Sequence, residues 1–383
     1  APAEAPGYAA AHYWIAQRML AGELTKEEEP TLSDPAARMK FAEQHLDRIE
    51  ELDAASPAVT IMRAYVCAQT GRERYASELL EPLSDENFLA ASMRLRLLTS
   101  TGDQVAAREQ AKRVLELSES AQVSSHDLTA DDHRSRVIAA TLVGNDQALE
   151  AALRDWLQAE PKDPQAIQLL AQLCRKLVQQ ALAKNFFAWE PLVNRLCLAE
   201  RLGSPREWVA IQLRDLVELR EHSNACRDAW LGLLGSSDAS EQLIELAGTT
   251  AAQHNEISQA RKAFQRLTAD GEAPPVVWNN LAWSLLQEPR PLPTEALAAV
   301  NHALEQSPEN PRFRETRGQA HLMLKQWDQA IKDLEYALNG LPDSKSALKG
   351  LAVAYSAIGN AQLAGLHREL AGLRDPALDR FEP

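Results

Sequence analysis

The sequence predicts an all-α fold, an α-solenoid of helix hairpins, and three observations predict it. First, alanine and leucine dominate the 383 residues, while aromatics make up 5 % and glycine only 16 positions; alanine and leucine are strong helix formers. Second, no run alternates apolar and polar residues over a length that a half-buried strand needs. Third, the C-terminal third repeats itself with a period of 34 residues. Ala296, Ala330 and Ala364 keep that spacing, as do Ala303, Ala337 and Ala371, Leu304 and Leu338, and Pro308 and Pro342. One coincidence of alanines would mean little in this chain; agreement of several registers marks stacked structural units.

The elements follow in chain order. Ala11 to Leu20 and Ala36 to Leu52 read as a helix pair separated by the polar loop Gly22 to Ser33. Asp34-Pro35 supplies an N-cap with proline at the first helical position. Pro57 to Leu80 reads as a hairpin turning at Gly71, with Ala76 where two helices must approach closely. Phe88 to Leu117 turns at Gly102-Asp103, with Ala107 in the same slot. His133 to Leu157 turns at Gly144-Asn145 and ends at Pro161. Pro164 to Ala183 and Trp189 to Leu202 are apolar-periodic, but the repeat spacing slips there. Ser204-Pro205-Arg206-Glu207 reads as a capping box opening a helix to about Leu219. Lys184-Asn185 and Gly235 to Asp238 are the best breaks, and Glu241 to Leu267 turns near Asn255.

The last three units are the most regular. Trp278-Asn-Asn-Leu281-Ala282 opens a helix ending near Leu286, and Thr294 to Gln306 forms its partner before Pro308. Phe313 to Leu324 pairs with a helix opening at Trp327-Asp-Gln-Ala330. Ala347 to Ile358 breaks at Gly359-Asn360 and resumes to Leu373. Ala282, Gly318, Ala352, Ala296, Ala330 and Ala364 sit where helices touch, and Trp278, Leu281, Leu285, Trp327 and Tyr355 fill the space between them. Proline after each second helix stops it and turns the chain.

This pattern resembles the tetratricopeptide repeat, in the form seen in bacterial members, clearly over about residues 274–373 and more loosely over 8–270. The family pattern Trp-x2-Leu-Gly-x2-Tyr, Ala-x3-Phe, Ala, Pro reads here Trp278-x2-Leu281-Ala282-x2-Leu285, Ala296-x3-Val300, Ala303 and Pro308. The next unit gives Gly318, Ala330-x3-Leu334, Ala337 and Pro342, and departs at Arg317, where leucine is usual. The resemblance implies a right-handed α-solenoid of eight to ten hairpins and no sheet. It divides the chain into a linker-like stretch (1–7), a degenerate array (8–183), an irregular helical hinge region (184–238), a C-terminal array (239–373) and a tail (374–383).

Composition excludes several classes of function. A net charge of −14 leaves no basic footprint for nucleic acid. No stretch approaches the ~18 uncharged apolar residues of a membrane span. Cys67, Cys174, Cys197 and Cys226 are far apart and form no CxxC, which reads as four buried thiols and mildly favours a reducing, cytoplasmic setting. The opening Ala-Pro-Ala-Glu-Ala-Pro reads as a linker, which either follows a removed signal or joins an upstream domain, so an exported mature form stays open. No phosphate-binding loop, HExxH or GxSxG is present. His126 and His133 lie near Asp127, Asp131 and Asp132, but a polar loop and helix start explain them better than a metal. His222, His254, His302 and His321 read as solvated or groove-facing, and Glu27 to Glu29 as a solvated loop run. The sequence therefore predicts no catalytic residue, no metal and no cofactor.

Two functions remain. The favoured one is a non-catalytic scaffold or adaptor that binds a peptide or partner helix in a concave groove. The alternative is an enzyme with a site between the two arrays, or a helical domain of a larger enzyme. The resemblance implies that five positions of each first helix face the groove. They are Val276, Asn279, Trp283, Leu286 and Gln287, then Arg312, Glu315, Gln319, Leu322 and Met323, then Ser346, Lys349, Val353, Ser356 and Ala357. Trp283, Leu286, Leu322, Met323 and Val353 make an apolar strip, edged by Arg312, Glu315 and Lys349, with Gln319 between them. The competing expectation is that the chain itself covers the strip, through the superhelix or through Asp375 to Pro383. Some family members clamp the terminal carboxylate of chaperones with Lys and Asn. The matching positions here are Asn279, Trp283, Thr316, Ser346 and Gly350, all of which depart, so chaperone-tail binding is not expected.

Overall fold

The computed structural model describes residues 9–21, 34–52, 56–119, 128–184 and 187–372. Among them the chain is all α, with twenty α-helices in sequential hairpins, one 3-10 turn at Glu81–Leu83 and no strand. It divides into two compact units, one up to Leu173 and one from Cys174.

The first unit contains α1 (Ala9–Ala21), α2 (Pro35–Glu51), α3 (Pro57–Gln69), α4 (Glu73–Leu80), α5 (Phe88–Thr101), α6 (Gln104–Glu119), α7 (Ala130–Val143) and α8 (Asp146–Ala159). Each helix packs on the next. The ends follow local chemistry. Asp34 accepts a hydrogen bond from the Ala36 amide at 3.2 Å, with Pro35 opening α2. Gly102 ends α5 in the left-handed region at φ 81°, which glycine adopts without a Cβ penalty. At α7 a capping box forms between Thr129 and Asp132, so that helix starts before the expected His133. Loop Gly22 to Ser33, His126 and Asp127 lie outside the described residues.

The chain continues through α9 (Pro164–Lys184), α10 (Trp189–Arg201), α11 (Arg206–Leu219) and α12 (Asn224–Gly235). This is where the repeat spacing slips. α10 packs chiefly on α12 rather than on α11. Gly232 permits it, since a Cβ there would meet Trp189 Cζ3 at 2.1 Å. The expected capping box at Ser204 does not form. Pro205 takes the N-cap position without a side-chain bond, and the Ser204 hydroxyl instead accepts from Arg175 Nη1 at 3.3 Å.

Regular hairpins follow: α13 (Glu241–Gln253) with α14 (Ile257–Leu267), α15 (Pro275–Gln287) with α16 (Pro293–Gln306), α17 (Pro311–Met323) with α18 (Trp327–Gly340), and α19 (Lys345–Ala357) with α20 (Ala361–Leu370). One apolar core runs without a break from Val178 to Ala320, so the irregular helices and the repeats share it. Ala282, Ala296 and Ala330 are fully buried at helix contacts. All four cysteines are buried and none forms a disulfide. Expected groove residue Leu286 is itself in this core, 4 % exposed.

Arg317, the departure from the repeat pattern, has a partner that explains it. Its guanidinium donates to Asp333 of α18 and reaches Asn301 of α16 at 3.3 Å. An apolar slot between two helices has become an ion pair. His321 belongs to the same group, with Nε2 3.7 Å from Asp333 Oδ2 and Nδ1 2.6 Å from Gln326 Oε1. It therefore packs between helices and does not face solvent or groove.

Candidate functional site

Between the first helices of the C-terminal repeats lies a cleft of about 660 Å³. α15 supplies Asn279, Trp283, Leu286 and Gln287, and α17 supplies Arg312, Glu315, Thr316, Gln319 and Met323. The far wall is the turn from α18 into α19, Gly340 to Ser344, with Ser346. Helical spacing accounts for the first two sets: residues three or four apart share a helix face, and both faces open to the same side.

The apolar part of the cleft is accessible. Trp283 is 37 % exposed and Met323 44 % exposed, whereas Leu286 is buried. A half-open tryptophan and an open methionine lining one cleft are adaptable contact surface.

The polar part is partly committed. Ser344 Oγ donates to Glu315 Oε1 at 2.8 Å. Gln319 Nε2 donates to the Ser346 carbonyl at 2.9 Å and to its hydroxyl at 3.1 Å. These two side chains hold the α19 entrance against α17. The Thr316 hydroxyl donates to the Arg312 carbonyl at 3.1 Å. By contrast, the Arg312 side chain is exposed and makes no ion pair among the described residues. The Asn279 side-chain oxygen is buried with no hydrogen-bond donor. The cleft thus offers an apolar wall and a free cation.

Six residues of the expected strip and its edge line this cleft: Trp283, Leu286, Arg312, Glu315, Gln319 and Met323. Three do not. Leu322 tucks under α19, where a Cβ on Gly350 would meet its Cδ1 at 2.8 Å. Lys349 and Val353 are exposed on α19 outside the cleft. The sequence reading missed the α18–α19 turn as a wall. Its signal was Pro342, which keeps the 34-residue spacing from Pro308 and marks the turn that brings Leu341 to Ser344 over the cleft.

Elsewhere, no group of three or more His, Cys, Asp or Glu side chains that could hold a metal occurs among the described residues. His133 is fully buried with neither ring nitrogen bonded, and burial lowers its pKa. His222 is exposed, and His302 stacks on Trp278 at 4.7 Å. No helix of the described residues is long and apolar enough to cross a membrane.

Solved structures of similar form include MamA protein, at 13 % identity over 46 % of this chain and 94 % of that one, with a TM-score of 0.35. The Cut9–Hcn1 hetero-tetramer of the APC/C gives 13 % identity over 97 % of this chain and 93 % of its own, with a TM-score of 0.45. The TPR domain of P58(IPK) gives 16 % identity over 92 % of this chain and 99 % of its own, with a TM-score of 0.29. Among curated proteins none matches the sequence. The tetratricopeptide repeat family model matches residues 246–311 and 292–341. Those residues take in α14 to α18, the helices that build most of the cleft, and the chain therefore carries tetratricopeptide repeats over residues 246–341.

Proposed function

We propose that the chain is a non-catalytic protein-binding scaffold whose cleft between α15, α17 and the α18–α19 turn receives an apolar segment of a partner, either a peptide or one face of a helix. Tetratricopeptide repeats are generally protein-interaction modules, and stacked hairpins provide extended surfaces for such segments. The observation that carries the reading is that Trp283 and Met323 are both exposed and line one cleft of about 660 Å³. Tryptophan anchors dominate binding energy at many interfaces because they desolvate a large area at low entropic cost. Arg312 favours an acidic residue next to the apolar one. Val353 and Lys349 extend the surface along α19 for a longer partner. A chaperone carboxylate tail is a poor fit, because Gly350 has no side chain and the Thr316 hydroxyl is already committed.

The test is selection of a random peptide library on the intact chain. The reading expects enriched sequences that join an apolar or aromatic residue to an acidic one, and that lose binding in Arg312→Glu. Enrichment of peptides that bind Trp283→Ala and Arg312→Glu chains as well as the parent would contradict it.

A further inference from the structure

The first hairpin holds two histidines in an unusual setting. His12 of α1 and His45 of α2 are 1 % and 0 % exposed. Their Nδ1 atoms lie 2.6 Å apart, with ring centroids at 4.9 Å. One Nδ1 must carry the proton and the other must accept it. The two Nε2 atoms are buried with no hydrogen-bond partner. Around the pair the hairpin is apolar, with Ala16 and Met19 on α1 and Ala42, Leu46 and Ile49 on α2. Phe41 meets His45 edge-on at 4.9 Å.

We propose that the His12–His45 pair is an acid-sensitive latch, holding α1 on α2 while both imidazoles are neutral and releasing it when the pair takes up a proton. A proton on the accepting Nδ1 would set two N–H groups against each other at hydrogen-bond distance. A proton on the bare Nε2 would leave a cation buried among aliphatic side chains. Either is costly without a counter-ion.

The carboxylates nearby are engaged elsewhere. Glu43 pairs with Arg72 at 2.7 Å, and Asp47 and Glu50 pair with Arg63 of α3 at 2.8 and 2.9 Å. Glu51 pairs with Arg48. Arg18 of α1 lies over the exposed ring of Trp14, 4.9 Å from its centroid. Burial, and then the neighbouring His12, lower the His45 pKa from 6.5 to about 4.

The direction follows from linkage. A group whose folded pKa is depressed contributes stability above its unfolded pKa, and that stability is lost as pH falls through the window between the two values. Here the window runs from 6.5 down to about 4. Between pH 7 and pH 5 the ratio of released to docked α1 should rise by about twentyfold. Release uncovers Met19, Leu46 and Ile49, so acid would convert a closed hairpin into an open apolar face.

Hydrogen exchange of the intact chain at pH 7 and pH 5, corrected for the intrinsic rate, tests this. The expected result is an opening constant for residues 9–21 that rises about twentyfold, with α17 and α18 unchanged and the rise abolished in His45→Leu. An equal rise in the variant, or no rise in the parent, overturns the proposal. Should His45→Leu fail to fold, ring-carbon NMR of the parent decides. Titration of His45 near 4 supports the latch, and titration near 6.5 with α1 still protected overturns it.

Discussion

Arg317 of α17 grips Asp333 of α18 through both ends of its carboxylate, from Nε to Oδ2 at 2.6 Å and from Nη2 to Oδ1 at 2.8 Å. Arg314 adds a third bond at 3.1 Å, and the Asp333 side chain is only 3 % exposed. This geometry is the strong, bidentate form of an ion pair. Removing one partner of a buried pair leaves a charge without compensation, which costs more than the pair itself contributes. Arg317→Leu restores the residue usual in the repeat, yet it should destabilise the chain by about 2–4 kcal/mol, with Arg314 limiting the loss. The double change Arg317→Leu with Asp333→Leu should recover most of it. Urea unfolding of the three chains checks both statements.

The same pair sets an acid limit. Burial disfavours the Asp333 carboxylate, but the hydrogen bonds and charges of Arg317 and Arg314 outweigh it and hold the pKa below the ordinary 3.8. A carboxyl depressed in this way contributes stability that is present above its unfolded pKa and lost as pH falls through the folded one. The melting temperature should therefore fall more steeply below pH 4 in the parent than in Asp333→Asn. This window lies beneath the one expected for His45, so the two effects separate along a pH series.

Leu334 is clasped between two glycines. A Cβ on Gly318 would lie 2.6 Å from its Cγ, and one on Gly350 would lie 2.7 Å from its Cδ1. Gly318→Ala would gain about 1 kcal/mol of helix propensity. The contact is with the branch point of a fully buried side chain, which cannot swing aside, and overpacking costs about 1–3 kcal/mol. The net expectation is destabilisation by up to about 2 kcal/mol, read by thermal unfolding. A stabilised Gly318→Ala chain would mean that the α17–α18 contact is looser than described.

The four thiols should be inert in the folded chain. Burial raises the pKa of Cys67, and pushes that of Cys197 up to about 11. A thiol reagent at pH 8 should label none of the four before denaturant is added and all four afterwards. Rapid labelling of Cys197 under native conditions would place it at a surface.

Much of the fold was legible because helix ends are local chemistry. Asp34-Pro35, Gly71, Gly102 and Gly144 each mark a boundary that backbone geometry enforces, and the observed helices fall within a few residues of them. Ser204-Pro205 was misread because a capping box needs a free N-cap, and proline occupied it. The groove was half legible. Periodicity names the residues on one helix face, but it does not say how deep each one sits. Leu286 sank into the core, and Leu322 found the hollow left by Gly350, while Trp283 and Met323 stayed open. The histidine latch carried a signal that went unread. His45 takes an apolar position of α2 alongside Ala42, Leu46 and Ile49, and Asp333 likewise takes an apolar position of α18. A polar residue in an apolar register calls for a partner on the facing helix.

The measurement that bears most directly on the cleft is Trp283→Ala, read twice. Calorimetric unfolding gives its effect on the fold, and titration with a peptide selected on the parent chain gives its effect on binding. For an open anchor the fold should lose no more than about 1 kcal/mol, while the peptide affinity should fall by about 2 kcal/mol or more. For a tryptophan that the chain itself covers, the fold should lose about 3–5 kcal/mol, as core truncations do. A large drop in melting temperature with unchanged peptide affinity would contradict the assignment of this cleft as the binding surface.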